Sequence, residues 1–240
     1  MPKFFVGQID GERAVLTGED AAHIGRSLRM KPGDALVLSC AGEDFSCEIL
    51  QITAETVECA VLSRLAQTVE PRLRVTLFQA MPKADKLELI VQKATELGVF
   101  AVVPVLTEFC VSRPDTKSFE KKRARLIKIS EAAAKQSGRS IIPQISEILS
   151  LEQAVSAMKA LDAGFLFYEK GGAPLRTAGL ESLSAAGILI GSEGGFSARE
   201  AELCRTAGLQ TLTLGKRILR CETAPIAALA AMFTLSGDMD

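Results

Sequence analysis

Two segments of the sequence combine residue types that could do chemistry. Ile190-Gly191-Ser192-Glu193-Gly194-Gly195-Phe196-Ser197 follows an apolar run and precedes a helix-opening pattern. Its glycines would sit at the carboxyl end of a strand, where backbone can approach a flat ligand closely. It matches neither G-x-G-x-x-G nor G-x-x-x-x-G-K-[ST], which argues against a pyrophosphate or triphosphate ligand. A tight turn explains the same glycines equally well. The second segment is Leu214-Gly215-Lys216-Arg217-Ile218-Leu219-Arg220-Cys221-Glu222-Thr223-Ala224. Planar guanidinium groups at Arg217 and Arg220, with apolar Ile218 and Leu219 between them, suit an aromatic heterocycle with a phosphate nearby. The alternative is structural: Glu222 and Thr223 would cap the last helix, and Arg220 would pair with Glu222.

A third feature is electrostatic. The net charge of -1 hides an uneven distribution, with six basic and eleven acidic side chains in residues 1–70 and an excess of basic ones beyond. Arg113 to Arg139 holds nine basic and three acidic residues. Such a run is either a solvated helix face or a phosphate-binding stripe.

Other chemistries are poorly supplied. The sole histidine is His23, and the six cysteines (40, 47, 59, 110, 204 and 221) form no C-x-x-C pair. Zinc sites, a disulfide framework and a Ser-His-Asp triad are therefore disfavoured, and no metal is expected. With 240 residues, 48% of them hydrophobic, the chain can bury a core. Its longest apolar run, Pro225 to Leu235, is too short to span a bilayer, and Met1 to Asp10 lacks the pattern of a secretion signal. The expected location is cytoplasmic, with no membrane partner.

Elements able to position these segments follow from periodicity. Residues 1–70 read as short strands (Phe4–Ile9, Arg13–Thr17, Ala35–Cys40, Phe45–Ile52, Thr56–Leu62) with a helical interruption from Glu19 to Met30, the spacing of a small barrel. From Arg74 the rhythm becomes strand, helix, strand: Val75–Ala80, a helix with Leu87, Ile90, Val91, Ala94 and Leu97 on one face and Gly98 as its stop, Val102–Leu106, and a helix from about Phe119 to Ser137. A helix over Leu151–Leu161, strands at Gly164–Tyr168, Gly187–Gly191 and Thr211–Leu214, and the capping box Ser197 to Glu200 complete a parallel α/β sheet. The closing helix, Pro225–Leu235, is apolar on every side, and a second subunit is one way to cover it. The boundary between the parts falls at Glu70-Pro71, giving domains 1–70 and 73–240.

Gly191 to Ser197 with Glu200, followed by Leu214 to Arg220 and Glu222-Thr223-Ala224, closely resembles the signature of the RsmE family, the 16S ribosomal RNA uridine-N3 methyltransferases of the SPOUT class. The resemblance extends through Lys83, Lys93 to Val99, Pro104, Glu131 to Ala133, Gln136 to Arg139 and Pro143, and to His23 to Arg29 in the first domain. It implies a PUA-like β-barrel followed by a SPOUT α/β domain whose carboxyl-terminal loops form a deep trefoil knot and dimerise. By the same resemblance, the homodimer would act on 16S rRNA in the 30S subunit, with S-adenosyl-L-methionine in the knot. Cofactor contacts would come from Leu166, Tyr168, Gly191, Ser192, Glu193, Gly194, Gly195, Leu214, Gly215, Ile218, Leu219 and Thr223. Ser192 departs from the family's usual proline, which removes a fixed φ and restores an N–H donor.

Methylating N3 requires its proton to leave and the resulting charge to be stabilised. Arg220, with Arg217 beside it, is expected to orient and stabilise the base, whereas Glu193 or Glu222 could be a proton acceptor only if burial raised its pKa. RNA contacts are expected from Arg26, Arg29, Lys121, Lys122, Arg123, Gln136 and Arg139, touching phosphates without reading sequence. Two alternatives stand beside this reading: a ribose 2′-O RNA methyltransferase of the same class, and a non-enzymatic RNA-binding or ribosome-binding protein that keeps the fold.

Overall fold

The computed structural model of the protein describes residues 1–66 and 69–239. Two compact units are formed, Met1–Glu70 with Ala134–Ile141, and Pro71–Ala133 with Ile142–Asp240. The sequence alone assigned 134–141 to the second domain; its side chains instead join a buried polar cluster of the first unit.

In the first unit, β1 (Lys3–Phe5), β2 (Arg13–Thr17), β3 (Ala35–Cys40), β4 (Glu43–Ile52) and β5 (Thr56–Arg64) form one sheet in the order β1-β3-β4-β5-β2. Alternation puts Ala14 and Leu16 of β2 inside, against Phe4, Leu36, Leu38, Ile49 and Val57. Register shifts at Ser46/Cys47 and Ile49/Gln51 let the long β4 bend. The sheet is a half-barrel where a small barrel was expected, because among the described residues the three-residue β1 pairs with β3 alone and no ladder joins it to β2. The expected helix over 19–30 is a single α turn, α1 (Gly18–Ala22), running into a π-helical turn, His23–Ser27. Its wide turn buries Ile24 and leaves Arg26 and Arg29 exposed.

Asp44, only 8% exposed, organises the polar cluster. Its carboxylate meets Lys3 Nζ at 2.7 Å and accepts hydrogen bonds from Ser39 Oγ at 2.6 Å and Ser140 Oγ at 2.7 Å. Burial pushes its pKa up, but the hydrogen bonds from Lys3, Ser39 and Ser140 outweigh it and hold the carboxyl below the ordinary 3.8. A depressed carboxyl contributes stability that is complete above the unfolded pKa and disappears as pH falls through the folded one. Asp44→Asn is therefore expected to cost about 3 kcal/mol near neutrality, by leaving the Lys3 charge with neutral acceptors only, and to cost progressively less as pH falls through the folded-state pKa. Urea unfolding of both proteins across pH checks this, and a gap independent of pH would refute it.

In the second unit, β6 (Arg74–Ala80), β7 (Ala101–Leu106), β8 (Gln144–Ile145), β9 (Leu149–Ser150), β10 (Ala163–Phe167), β11 (Ala173–Pro174), β12 (Ala185–Ile190) and β13 (Gln210–Thr213) form a wholly parallel sheet. Its order is β11-β13-β10-β12-β6-β7-β8, with β9 also on β7. Both faces are buried, which explains the nearly continuous apolar strands. Val75, Leu77, Phe165 and Ile188 face a core shared by α2 (Lys86–Leu97) and α6 (Thr223–Ser236). Phe78, Leu166 and Leu189, one residue out of phase, face α4 (Leu151–Met158) and α5 (Ala198–Thr206). α3 (Thr116–Ser137) adds Phe119 and Leu126 to the first core, and its last turn belongs to the first unit. α6 buries Ala228, Leu229, Met232 and Phe233 but leaves Ile226, Ala227, Ala230 and Ala231 half-buried and Leu235 exposed. No helix of the described residues is long and apolar enough to cross a membrane.

Candidate active site

Strands β13, β10 and β12 are consecutive neighbours and all parallel, so their carboxyl ends, at Thr213, Phe167 and Ile190, share one edge of the sheet. The loops leaving them converge on a cavity of ≈ 460 Å³, within the range of about 300–1,000 Å³ that suits small-molecule ligands. Tyr168 and Glu169 come from the first loop, Gly191 to Gly195 from the second, and Leu214 to Cys221 from the third.

The second loop is a turn closed by Gly195 N–H donating to Ser192 O at 3.0 Å. Gly195 has φ +64°, and a Cβ there would stand 2.9 Å from Glu169 Oε1. The glycine thus allows both the left-handed backbone and the close approach of two loops. At Gly194 a Cβ would stand 2.6 Å from Phe109 Cβ. The turn then enters α5 through the predicted capping box: Ser197 Oγ accepts from Glu200 N at 3.2 Å, and Glu200 Oε2 accepts from Ser197 N at 2.9 Å. Glu200 Oε1 also accepts from Glu108 N at 2.7 Å, fastening the loop after β7 to the same turn.

A cation ties two of these loops together. Lys86 Nζ, from the first residue of α2, lies 3.0 Å from Glu193 Oε1 and 3.2 Å from Glu222 Oε2. Glu193 also accepts from Lys83 N at 3.1 Å. Burial pushes the Glu193 carboxyl up, but hydrogen bonds from Lys86 and from backbone N–H groups prevail and hold it at about 2. Glu222 is likewise shifted below its ordinary value despite desolvation, and the two carboxylates raise Lys86 well above the ordinary lysine value. Burial, with Glu222 and Glu193 close by, pushes the Cys221 thiol up to about 12, so it is no nucleophile at neutral pH.

Arg217 and Arg220 line the cavity, are exposed, and form no ion pair among the described residues. The expected alternative partner of Arg220, Glu222, is taken by Lys86. Ser192 is buried and its hydroxyl finds no hydrogen-bond partner among the described residues, as would suit a site completed by a polar ligand. Among the described residues no group of three or more His, Cys, Asp or Glu is placed to hold a metal ion.

This geometry can be set beside known proteins. Residues 69–233 match the RNA methyltransferase domain model, and 16–62 match the RNA methyltransferase PUA domain. The ribosomal RNA small subunit methyltransferase E of Bacillus subtilis is 35% identical over 226 residues, covering 90% of this chain and 88% of that one. The chain belongs to the ribosomal RNA small subunit methyltransferase E family. Among solved structures, the methyltransferase E of Neisseria gonorrhoeae, bound to S-adenosyl methionine, is 30% identical with a TM-score of 0.89, and the similarity covers 98% of each chain. A Legionella pneumophila protein solved in complex with the same cofactor is also 30% identical, with a TM-score of 0.86 and coverage of 97% and 96%.

In this member of the methyltransferase E family, most residues expected at a cofactor site surround the one cavity: Tyr168, Gly191 to Gly195, Leu214, Gly215, Ile218 and Leu219. Two do not. Leu166 is fully buried in the α4–α5 core because it lies one residue out of phase with Phe165 and Phe167, and Thr223 points to solvent from the start of α6. Glu193 and Glu222 are poorly suited to accept a proton, since Lys86 stabilises both in their charged forms.

Of the residues expected to meet RNA, Arg26, Arg29, Lys121 and Gln136 are exposed. Lys122 Nζ donates to Ala84 O at 3.0 Å and Arg123 Nε to Ile145 O at 2.7 Å, so both are partly committed. Arg139 is a correction: it is 3% exposed and ion-paired with Glu70, which withdraws its guanidinium from any phosphate outside. The sequence reading placed the strand end Leu166 to Glu169 near the cofactor, and Phe167 and Glu169 do line the cavity, but it missed Lys86. Lys86 was detectable in principle, because it follows a parallel strand and opens a helix, at the edge where such sheets collect ligands.

Proposed function

We propose that this chain methylates N3 of a uridine in 16S ribosomal RNA with S-adenosylmethionine as donor. The observation that carries the reading is the convergence of the Gly191–Gly195 and Leu214–Arg220 loops on one cavity, with two exposed arginines on its wall that form no ion pair among the described residues. The residues present fit the cofactor: a glycine-built turn, apolar Leu214 and Leu219, and a buried Ser192 hydroxyl in need of a partner. Bound S-adenosylmethionine supplies a methyl group on a sulfonium, whose C–S bond breaks toward sulfur as the bond to N3 forms.

The chain's task is to orient the base, exclude water and stabilise charge. Arg220, assisted by Arg217, donates to the uridine oxygen that gains charge as the N3 proton departs to solvent. With Glu193 and Glu222 held ionised by Lys86, stabilisation of this anion takes the place of a carboxylate base. Because N3 lies on the pairing edge, the uridine must be unpaired or flipped out. Residues 1–70 serve as an RNA-binding domain and 73–240 as the methyltransferase domain, with Arg26, Arg29, Lys121 and Gln136 contacting phosphates, in the cytoplasm and on the 30S subunit.

Two further features belong to the same reading. A deep trefoil knot is supported by strand order: the chain leaves β10, runs out to β11 beyond β13, and returns to β12 on the other side of β10. A homodimer is supported by α6, whose half-buried residues Ile226, Ala227, Ala230 and Ala231 and exposed Leu235 leave an apolar flank.

S-adenosylhomocysteine at about 100 times its Kd should raise the melting temperature by about 5–10 °C, because a ligand binding only the folded state stabilises it. NAD and ATP should leave it unchanged. No shift with S-adenosylhomocysteine at saturating concentration would overturn the cofactor assignment.

A further inference from the structure

Lys86 has no role in the reading so far beyond neutralising two carboxylates, yet it sits where three segments meet. Its ammonium reaches Glu193 on the loop after β12, Glu222 at the entry of α6, and Cys221 Sγ at 3.7 Å. Cys221 Sγ lies 3.2 Å from Glu222 Oε2, and the Glu193 carboxylate additionally receives Lys83 N–H. These are the charged and titratable groups with which the cluster is built. Glu193 lies one residue from the glycine pair of the turn, and Glu222 lies two residues beyond Arg220.

Among the described residues Arg220 itself has no ion pair, and its backbone carbonyl accepts from Thr223 and Ala224 N–H in the first turn of α6. The two loops that must cooperate in methyl transfer are therefore joined by an ion pair to a shared cation on a third element. We infer that Lys86 is a positioning residue for methyl transfer: its ammonium clamps the cofactor turn at Glu193 to the arginine loop at Glu222, fixing the reacting groups in line. The inference rests on the proposed methyltransferase reading. Methyl transfer from a sulfonium is intolerant of misalignment, and a displacement of about 1 Å can cost about a hundredfold in rate.

The clamp also explains why both carboxylates stay ionised. Removing the cation leaves Glu193 and Glu222 near each other without compensation, so each should take up a proton at a higher pH than in the wild type. A general loosening of the fold would not have this signature. The test compares Lys86→Met, Lys86→Arg and the double variant Lys86→Met/Glu193→Gln for steady-state methylation from pH 4.5 to 9, with wild type as reference and the melting temperature without ligand as a check on folding.

Lys86→Met should lower kcat at least about tenfold at pH 7.5 and change its pH profile on the acid side, where the ion pairs with Lys86 are expected to keep both wild-type carboxylates ionised. Lys86→Arg should stay within about threefold of wild type, since it keeps the cation. The double variant should lose the altered acid side of the profile, because the uncompensated carboxylate pair is gone, but should not regain the rate, because the clamp is still missing. Unchanged kcat in Lys86→Met, or a loss equal at every pH and not relieved by Lys86→Arg, would overturn the inference. Failure of the wild-type protein to methylate at all would instead refute the function on which it rests.

Discussion

Arg220→Ala is expected to reduce methyl transfer to RNA by about 10²–10³-fold, the usual consequence of removing a donor aimed at developing charge. The melting shift produced by S-adenosylhomocysteine should remain within about 2 °C of wild type, because the other walls of the cavity are unchanged. This separation follows from the side chain's position. Arg220 is exposed on the cavity wall and makes no ion pair among the described residues, so its loss leaves no stranded charge partner there. Arg217→Ala should show a smaller loss, as an assisting cation. Single-turnover methylation of 16S rRNA and thermal melting measure the two quantities separately. An equal loss of both would make Arg220 a structural residue and move the catalytic donor elsewhere.

Gly195→Val is expected to abolish cofactor binding while the protein still folds. Two costs combine at this position. A β-branched residue at φ +64° is strained by about 1–3 kcal/mol, and its Cβ would stand 2.9 Å from Glu169 Oε1. Either the turn opens, breaking the Gly195 N–H to Ser192 O bond, or the Glu169 loop retreats. Both displace loops that line the cavity. Gly195→Asn separates the causes, since asparagine tolerates the left-handed backbone but carries the same Cβ. If the approach to Glu169 dominates, the asparagine variant also loses the S-adenosylhomocysteine shift. A retained shift in both variants would show that the turn does not form part of the cofactor site.

The core of the second unit was legible because two independent periodicities agreed. The apolar face Leu87, Ile90, Val91, Ala94 dictated a helix against the sheet, and the parallel strands were apolar throughout because both faces are covered. The capping box at Ser197 and Glu200 was equally explicit, since its chemistry is local. What the sequence could not reveal depends on distant partners. Arg139 reads as one more cation of a basic stripe until the fold buries it against Glu70, 69 residues away in sequence. Leu166 and Phe167 are indistinguishable in an apolar run, and only the phase of the strand decides which one faces the cavity. Lys86 and its two carboxylates are separated by more than a hundred residues, so neither spacing nor composition could pair them. Closure of the first sheet failed for a similar reason, because strand count alone does not say whether the end strands meet.

The central claim is that the cavity transfers a methyl group to the pairing edge of a uridine. It is tested by incubating the protein with S-adenosylmethionine and either 30S subunits or naked 16S rRNA from cells lacking this family's enzyme, then reading the RNA by reverse transcription. A methyl group on N3 blocks base pairing, so one new strong stop next to a single uridine is predicted, absent with Arg220→Ala. Methyl incorporation without a stop, or no incorporation into either RNA, would contradict the account.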